Sequence, residues 1–207
     1  EMERFVGKTM RLGLGYGTGA AKLHSTLKLG GATISEDRCK ELVNSWRQHN
    51  NKITELWRKC DDALRDMMNW GPTSKPYALG EHNCLWVTKD GIKLPNGLYI
   101  RYGNLRMHEG KAVYDSRKGV VNIWGGSVVE NVVQALARIV IGEQMIVASG
   151  EYPVVLTVHD AIVCLVPEMS IDQGLARIVE IMSNPPGWAA SLPVACEAKY
   201  GQSYGDC

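Results

Sequence analysis

Three stretches of the sequence hold residue types at spacings that can do chemistry. The first, RLGLGYGTGAAKLH at residues 11–24, sets glycines in alternation, in the manner of a phosphate-binding loop. Gly15, Gly17 and Ala20 satisfy the permissive dinucleotide pattern G-x-G-x-x-A, and the acidic pair Glu36-Asp37 follows at a suitable distance. That pattern has a mechanism only where a strand feeds the turn and a helix leaves it. Gly7-Lys8-Thr9 imitates the tail of a Walker A loop, but Met2 stands where the first glycine of that loop is required. The second stretch lies just upstream. Arg4, Lys8, Leu12 and Tyr16 recur at four-residue steps, which stacks them on one face of a helix. Two cations a turn apart, then a large apolar side chain and an aromatic ring, could hold phosphates at one end and a flat base at the other. The same row would serve equally as the solvated basic edge of an amphipathic helix. On such a helix the glycines fall at the carboxyl end, where they permit positive φ and close approach. That end of the dipole repels phosphate, so the dinucleotide reading loses its context.

The third stretch is TVHDAIVCLVPE, where His159-Asp160 separates two apolar runs. An Asp fixed in a tight turn at a sheet end can bind a hard divalent cation, and it is also a common turn residue. His159 has no second histidine at metal-ligand spacing and reads as a contact residue. Nothing resembles a G-x-S-x-G elbow, which argues against a Ser-His-Asp hydrolase.

The elements that must position these residues follow from periodicity. Residues 1 to about 70 are patterned as helices, with Ile53, Leu56, Trp57, Cys60 and Leu64 forming one apolar stripe that belongs to a core. Trp70-Gly-Pro ends this region. Short strands LWV, IKL and LYIRY follow, joined by turns at Asp90-Gly91 and Pro95-Asn96-Gly97. A long helix is predicted from about Lys118 or Val121 to Ala148, then PVVLTV and AIVCLV as strands around His159-Asp160. A helix near 170–183 and a final strand around 193–200 complete the reading. With 207 residues the chain can bury a real core, and its net charge of +1 confines any anion site to a local patch. No apolar run reaches the roughly 18 residues of a membrane span, so no membrane partner is expected. Six scattered cysteines without a C-x-x-C pair argue against a zinc site or disulfide framework and for a reducing compartment, such as a cytoplasm. The chain opens on Glu1 inside a helical pattern, which suggests a piece of something longer.

Taken in order, these motifs resemble the family A (DNA polymerase I) DNA polymerases. Arg4-x-x-x-Lys8-x-x-x-Leu12-x-x-x-Tyr16-Gly17 resembles their nucleotide-binding helix, and Val158-His159-Asp160 their palm motif V-H-D-E. Gly125-Gly126-Ser127 and Glu130-Asn131-x-x-Gln134-Ala135 resemble the template- and primer-contacting helix of the phage branch, and LPVACEAKYGQSY the last palm strand and carboxyl terminus.

The resemblance implies an α+β fold, with a fingers region at 1–114 (nucleotide-binding helix, helical bundle, hairpin insertion) and carboxyl-terminal palm at 115–207. It implies that Arg4 and Lys8 bind the triphosphate of an incoming deoxynucleotide and that Tyr16 packs beside the nascent base pair. Asp160 would be one of two carboxylates holding two magnesium ions, with His159 near the primer terminus. Arg117, Asn131 and Gln134 would contact primer-template DNA. Leu12 replaces the aromatic residue usually set against the incoming sugar, Ala161 the Glu after the Asp, and Gly125 a glutamine. The first catalytic Asp, the thumb and any exonuclease segment would lie outside this sequence. The isolated fragment would then be inactive and prone to self-association through an open sheet edge. A non-enzymatic α+β nucleic-acid-binding domain is the alternative, and a dinucleotide-dependent oxidoreductase requires residues 1–14 to form a strand.

Overall fold

A computed structural model describes residues 1–206. The architecture is α+β, helices with small antiparallel sheets, as expected. Two compact units are present, Glu1–Val132 and the chain from Val133 onward. The division falls inside the long helix that begins at Gly125.

The first unit begins with four helices: α1 (Met2–Gly15), α2 (Ala20–Leu29), α3 (Glu36–His49) and α4 (Asn51–Met68). Residues 1–14 form no strand, which removes the condition on which the oxidoreductase reading depended. α1 turns Leu14 into a core shared with Leu23, Leu27, Ala32, Cys39 and Val43, and Phe5, Val6 and Met10 pack against that core. The opposite face is left to Arg4, Lys8, Leu12 and Tyr16, all exposed. α3 explains Glu36-Asp37 without a ribose. Ser35 caps the helix by accepting a hydrogen bond from the Arg38 amide at 3.2 Å, and both acids sit in the first turn, where the dipole favours them. The helical pattern over 35–69 is broken once, at Asn50. Its backbone amide and its Nδ2 both donate to the Trp46 carbonyl, at 2.9 and 2.8 Å, and close α3 before α4 begins.

The predicted stripe on α4 is partly realised. Trp57, Cys60 and Leu64 are buried, while Leu56 is intermediate and Ile53 is exposed at the first turns. Burial, with a smaller contribution from the charge of Asp61, pushes the Cys60 thiol up to about 12, which keeps it neutral at ordinary pH.

Two small antiparallel sheets follow. In the first, β1 (Tyr77–Ala78), β2 (Trp86–Thr88), β3 (Gly91–Lys93) and β4 (Tyr99–Ile100) pair in sequence order. Val87, Ile92 and Ile100 are cross-strand neighbours on its inner face. Gly91 is required: its φ is +128° and a Cβ there would strike the Ile100 carbonyl. The second sheet comprises β5 (Arg106–His108), β6 (Lys111–Ser116) and β7 (Gly119–Asn122). Here the expected helix start at Lys118 or Val121 is corrected. Ser116 Oγ accepts from the Lys118 amide and donates to the Gly119 carbonyl, making a tight turn that returns Val120 and Val121 to pair with Asp115 and Tyr114. α5 (Gly125–Ser149) starts only after this strand.

The second unit holds the rest of α5, then β8 (Val154–Val158), β9 (Ala161–Cys164) and α6 (Ile171–Ser183). Gln144 of α5 is buried and its Nε2 donates to the carbonyls of Met182 and Asn184, at 2.8 and 3.0 Å. It thereby satisfies carbonyls that the end of α6 leaves without helical partners. Hydrogen bonds from Arg177 hold the Glu151 carboxyl below its usual range. This contribution to stability is present above the ordinary carboxylate pKa and is lost as pH falls through the lowered value.

The predicted final strand is not formed. Residues 193–200 form no strand, and among the described residues β8 pairs with β9 alone. Val194, Cys196 and Ala198 are nonetheless less exposed than the residues between them, so the period of two survives in burial. A strand also requires a ladder of backbone partners, and an alternating side-chain pattern does not supply one.

α5 is, among the described residues, the one helix long and apolar enough to cross a membrane on length and composition, although Glu130, Arg138 and Glu143 interrupt it. Three of its polar residues are engaged by protein: Asn131 with Tyr102, Glu143 with the Trp188 indole, and Gln144 with the end of α6. These are the contacts of a helix packed within a protein.

Candidate nucleotide and metal site

In the first unit the candidate residues are the outer row of α1. Leu12 is 56% and Tyr16 60% exposed, and Arg4 and Lys8 make no ion pair among the described residues. Two cations without partners are free to meet an anion. The helix stops in a Schellman arrangement: the Gly17 amide donates to the Leu14 carbonyl and the Thr18 amide to the Gly13 carbonyl, at 2.9 and 3.0 Å. Gly17 occupies the left-handed position with φ +73°.

A tertiary reason for the glycines appears at the same point. A Cβ on Gly17 would overlap the Trp124 ring, and so would one on Gly126. A Cβ on Gly125 would overlap the Trp57 carbonyl. Asp61 of α4 completes the junction by accepting a hydrogen bond from the Gly125 amide at 2.6 Å, which caps α5 from outside its own sequence. Trp124 stands edge-on to Trp57, with ring centroids 5.4 Å apart. The Gly125-Gly126 pair is therefore a packing device whatever else it touches. Gly125→Ala is expected to cost about 1–3 kcal/mol through overpacking. A urea midpoint indistinguishable from wild type would show that the junction yields freely.

Asn131 and Arg117 also belong to the first unit. Asn131 Nδ2 donates to the Tyr102 hydroxyl at 3.3 Å. Arg117 is exposed in the turn between β6 and β7. Gln134, on α5, is exposed and belongs to the second unit.

In the second unit the candidate residues lie at the tip of the β8–β9 hairpin. Val158 and Ala161 are paired, which leaves His159-Asp160 as a two-residue loop. Both side chains are exposed. His159 has φ +53°, in the left-handed region that residues other than glycine seldom occupy. A two-residue hairpin demands positive φ, so strain is held at the residue next to the carboxylate. Among the described residues no group of three His, Cys, Asp or Glu side chains stands close enough to hold a metal ion. A magnesium ion is commonly held by one or two protein carboxylates, with water and substrate phosphates completing its shell. An exposed carboxylate on a rigid turn fits that donor requirement in kind.

The sequence placed Trp57 in a core stripe but gave no role to Asp61 or Trp124, because a long-range cap and a ring slotted between glycines leave no local periodicity.

The chain is 30% identical to a DNA polymerase of Bacillus phage SP02, over 209 aligned residues covering 92% of this chain. It spans 31% of that relative's length. No protein-family model matches the chain, and no solved structure does.

Proposed function

We propose that this chain is the fingers and carboxyl-terminal palm of a family A DNA-directed DNA polymerase of phage type. Such an enzyme adds deoxynucleotides to the 3′ end of a primer paired with template DNA. The observation that carries the reading is the exposed row of Arg4, Lys8, Leu12 and Tyr16 on α1, in a chain similar along nearly its whole length to a phage polymerase. In this reading Arg4 and Lys8 neutralise the triphosphate, which orients the α-phosphorus toward the primer hydroxyl. Tyr16 presents its ring to the base, and Leu12 lies where the sugar would rest. Asp160 would hold magnesium, which supplies charge stabilisation at the attacking and leaving oxygens. His159, fixed by the turn, would contact the primer end, and Arg117, Asn131 and Gln134 would contact DNA. The net charge of +1 is compatible with this, because each contact is local.

The second unit supports a further part of the proposal. The β8–β9 hairpin is two-stranded, so among the described residues the outer edge of each strand is unpaired, and Val155, Leu156 and Leu165 are 55%, 45% and 58% exposed. Open edges and apolar side chains call for cover. We assign that cover to an amino-terminal palm strand bearing the first catalytic Asp. The 207-residue chain by itself would then extend no primer and would self-associate through the hairpin. Light scattering across a dilution series is expected to show oligomers; a monomer at every concentration would mean that the edge is already protected.

A further inference from the structure

The four-stranded sheet of the first unit covers one face and leaves the other bare. On the inner face Val87 and Ile92 are fully buried, and the Tyr77 hydroxyl donates to Asp66 of α4 at 2.6 Å. The outer face follows from the period of two. Trp86 is the cross-strand partner of Lys93, and Lys93 of Tyr99, so the three stand side by side across β2, β3 and β4. Neighbouring strands lie about 4.8 Å apart, which places the two rings roughly 10 Å from each other with an ammonium between them. Arg101, two residues beyond Tyr99, lays its guanidinium over the Tyr99 ring, 5.4 Å from the centroid. Trp86 is 40% exposed, and its indole N–H is pinned to the Asn83 carbonyl at 3.1 Å.

Solvent alone does not call for this row. The wet face of an antiparallel sheet is normally polar, and a single exposed aromatic is unexceptional. Here aromatic, cation and aromatic stand in one row across three strands, and a second cation lies over the last ring. Lys75, Lys89, Lys93 and Arg101 outnumber Glu81 and Asp90 between residues 75 and 101, so the patch is positive in a nearly neutral chain. Lys93 and Arg101 have no ion-pair partner among the described residues.

We propose that this face is a stacking platform for single-stranded DNA, with bases on Trp86 and Tyr99 and phosphates on Lys93 and Arg101. The exposed Trp86 ring and the partly exposed Tyr99 ring can each accept any base by a flat face, and the neighbouring cations follow the backbone. A duplex hides those base faces, so an unpaired strand suits the row better. The chemistry asks for a single strand of nucleic acid; that the strand is DNA rests on the polymerase reading.

The test is photo-crosslinking of the full-length protein to a single-stranded oligodeoxynucleotide carrying 5-iododeoxyuridine, with the attachment site mapped by mass spectrometry. Attachment at Trp86 or Tyr99 is expected. Crosslink yield at this face should fall about tenfold in Trp86→Ala and recover in Trp86→Phe, which keeps a flat ring. Lys93→Glu should lower the salt dependence of binding by about one phosphate contact. Attachment confined to other segments, or an undiminished yield in both Trp86→Ala and Tyr99→Ala, would overturn the proposal. Preference for RNA of the same sequence would overturn its assignment to DNA. Crosslinking needs no catalysis, so a protein that attaches here but never extends a primer would keep the platform and lose the polymerase reading. A protein that extends primers without attaching here would do the reverse.

Discussion

Asp160→Asn in the full-length protein is expected to lower single-nucleotide addition about a thousandfold or more, while leaving primer-template binding within a few-fold of wild type. The substitution preserves shape and hydrogen-bonding reach at the hairpin tip but removes the negative charge. Divalent cations prefer charged oxygen donors, and stabilising the oxygens of a phosphoryl transfer is worth several kcal/mol of barrier. The side chain is exposed on a two-residue turn, so the variant has no core to disrupt. A loss of activity with unchanged thermal melting would therefore report on chemistry. Activity within tenfold of wild type corresponds to only about 1.4 kcal/mol and would remove Asp160 from the catalytic centre.

Lys8→Ala is expected to reduce kcat/KM for the incoming deoxynucleotide by about ten- to a hundredfold, the loss typical of a hydrogen bond to a charged group. Arg4→Ala should act in the same direction. Both side chains lie on the outer face of α1, opposite the residues packed on Leu14, so neither truncation opens a cavity. Steady-state kinetics with one matched nucleotide would separate this from a DNA-binding defect: KM for nucleotide rises while affinity for primer-template holds. Unaltered incorporation kinetics in both variants would return the row to an ordinary solvated helix edge.

What the sequence revealed, and what it concealed, follows from the range of the interactions involved. The four-residue recurrence from Arg4 to Tyr16 is local, and so is the apolar spacing behind it; α1 and its exposed row were both legible. The turn at His159-Asp160 was equally plain, since two apolar strands leave it no room to be anything else. The tight turn at Ser116–Gly119 was hidden because Val120 and Val121 continue smoothly into the apolar pattern of α5, and only cross-strand pairing with Asp115 and Tyr114 separates them. Residues 193–200 misled in the opposite sense: their alternation is real, but the sheet formed without them. The sequence was enough to show that the glycines after α1 do not form a phosphate loop, but not why they are glycines: Trp124 lies against Gly17 and Gly126. The aromatic and cationic residues of the first sheet attracted no notice in the sequence, because register alone aligns Trp86, Lys93 and Tyr99.

The central claim is that these residues belong to a template-directed nucleotidyl transferase. Primer extension by the full-length protein tests it most directly, with a labelled primer on a template of defined sequence, magnesium, and each deoxynucleoside triphosphate offered singly. The account predicts addition of the nucleotide complementary to the template base and negligible addition of the other three. No extension under these conditions, or extension indifferent to the template base, would contradict it.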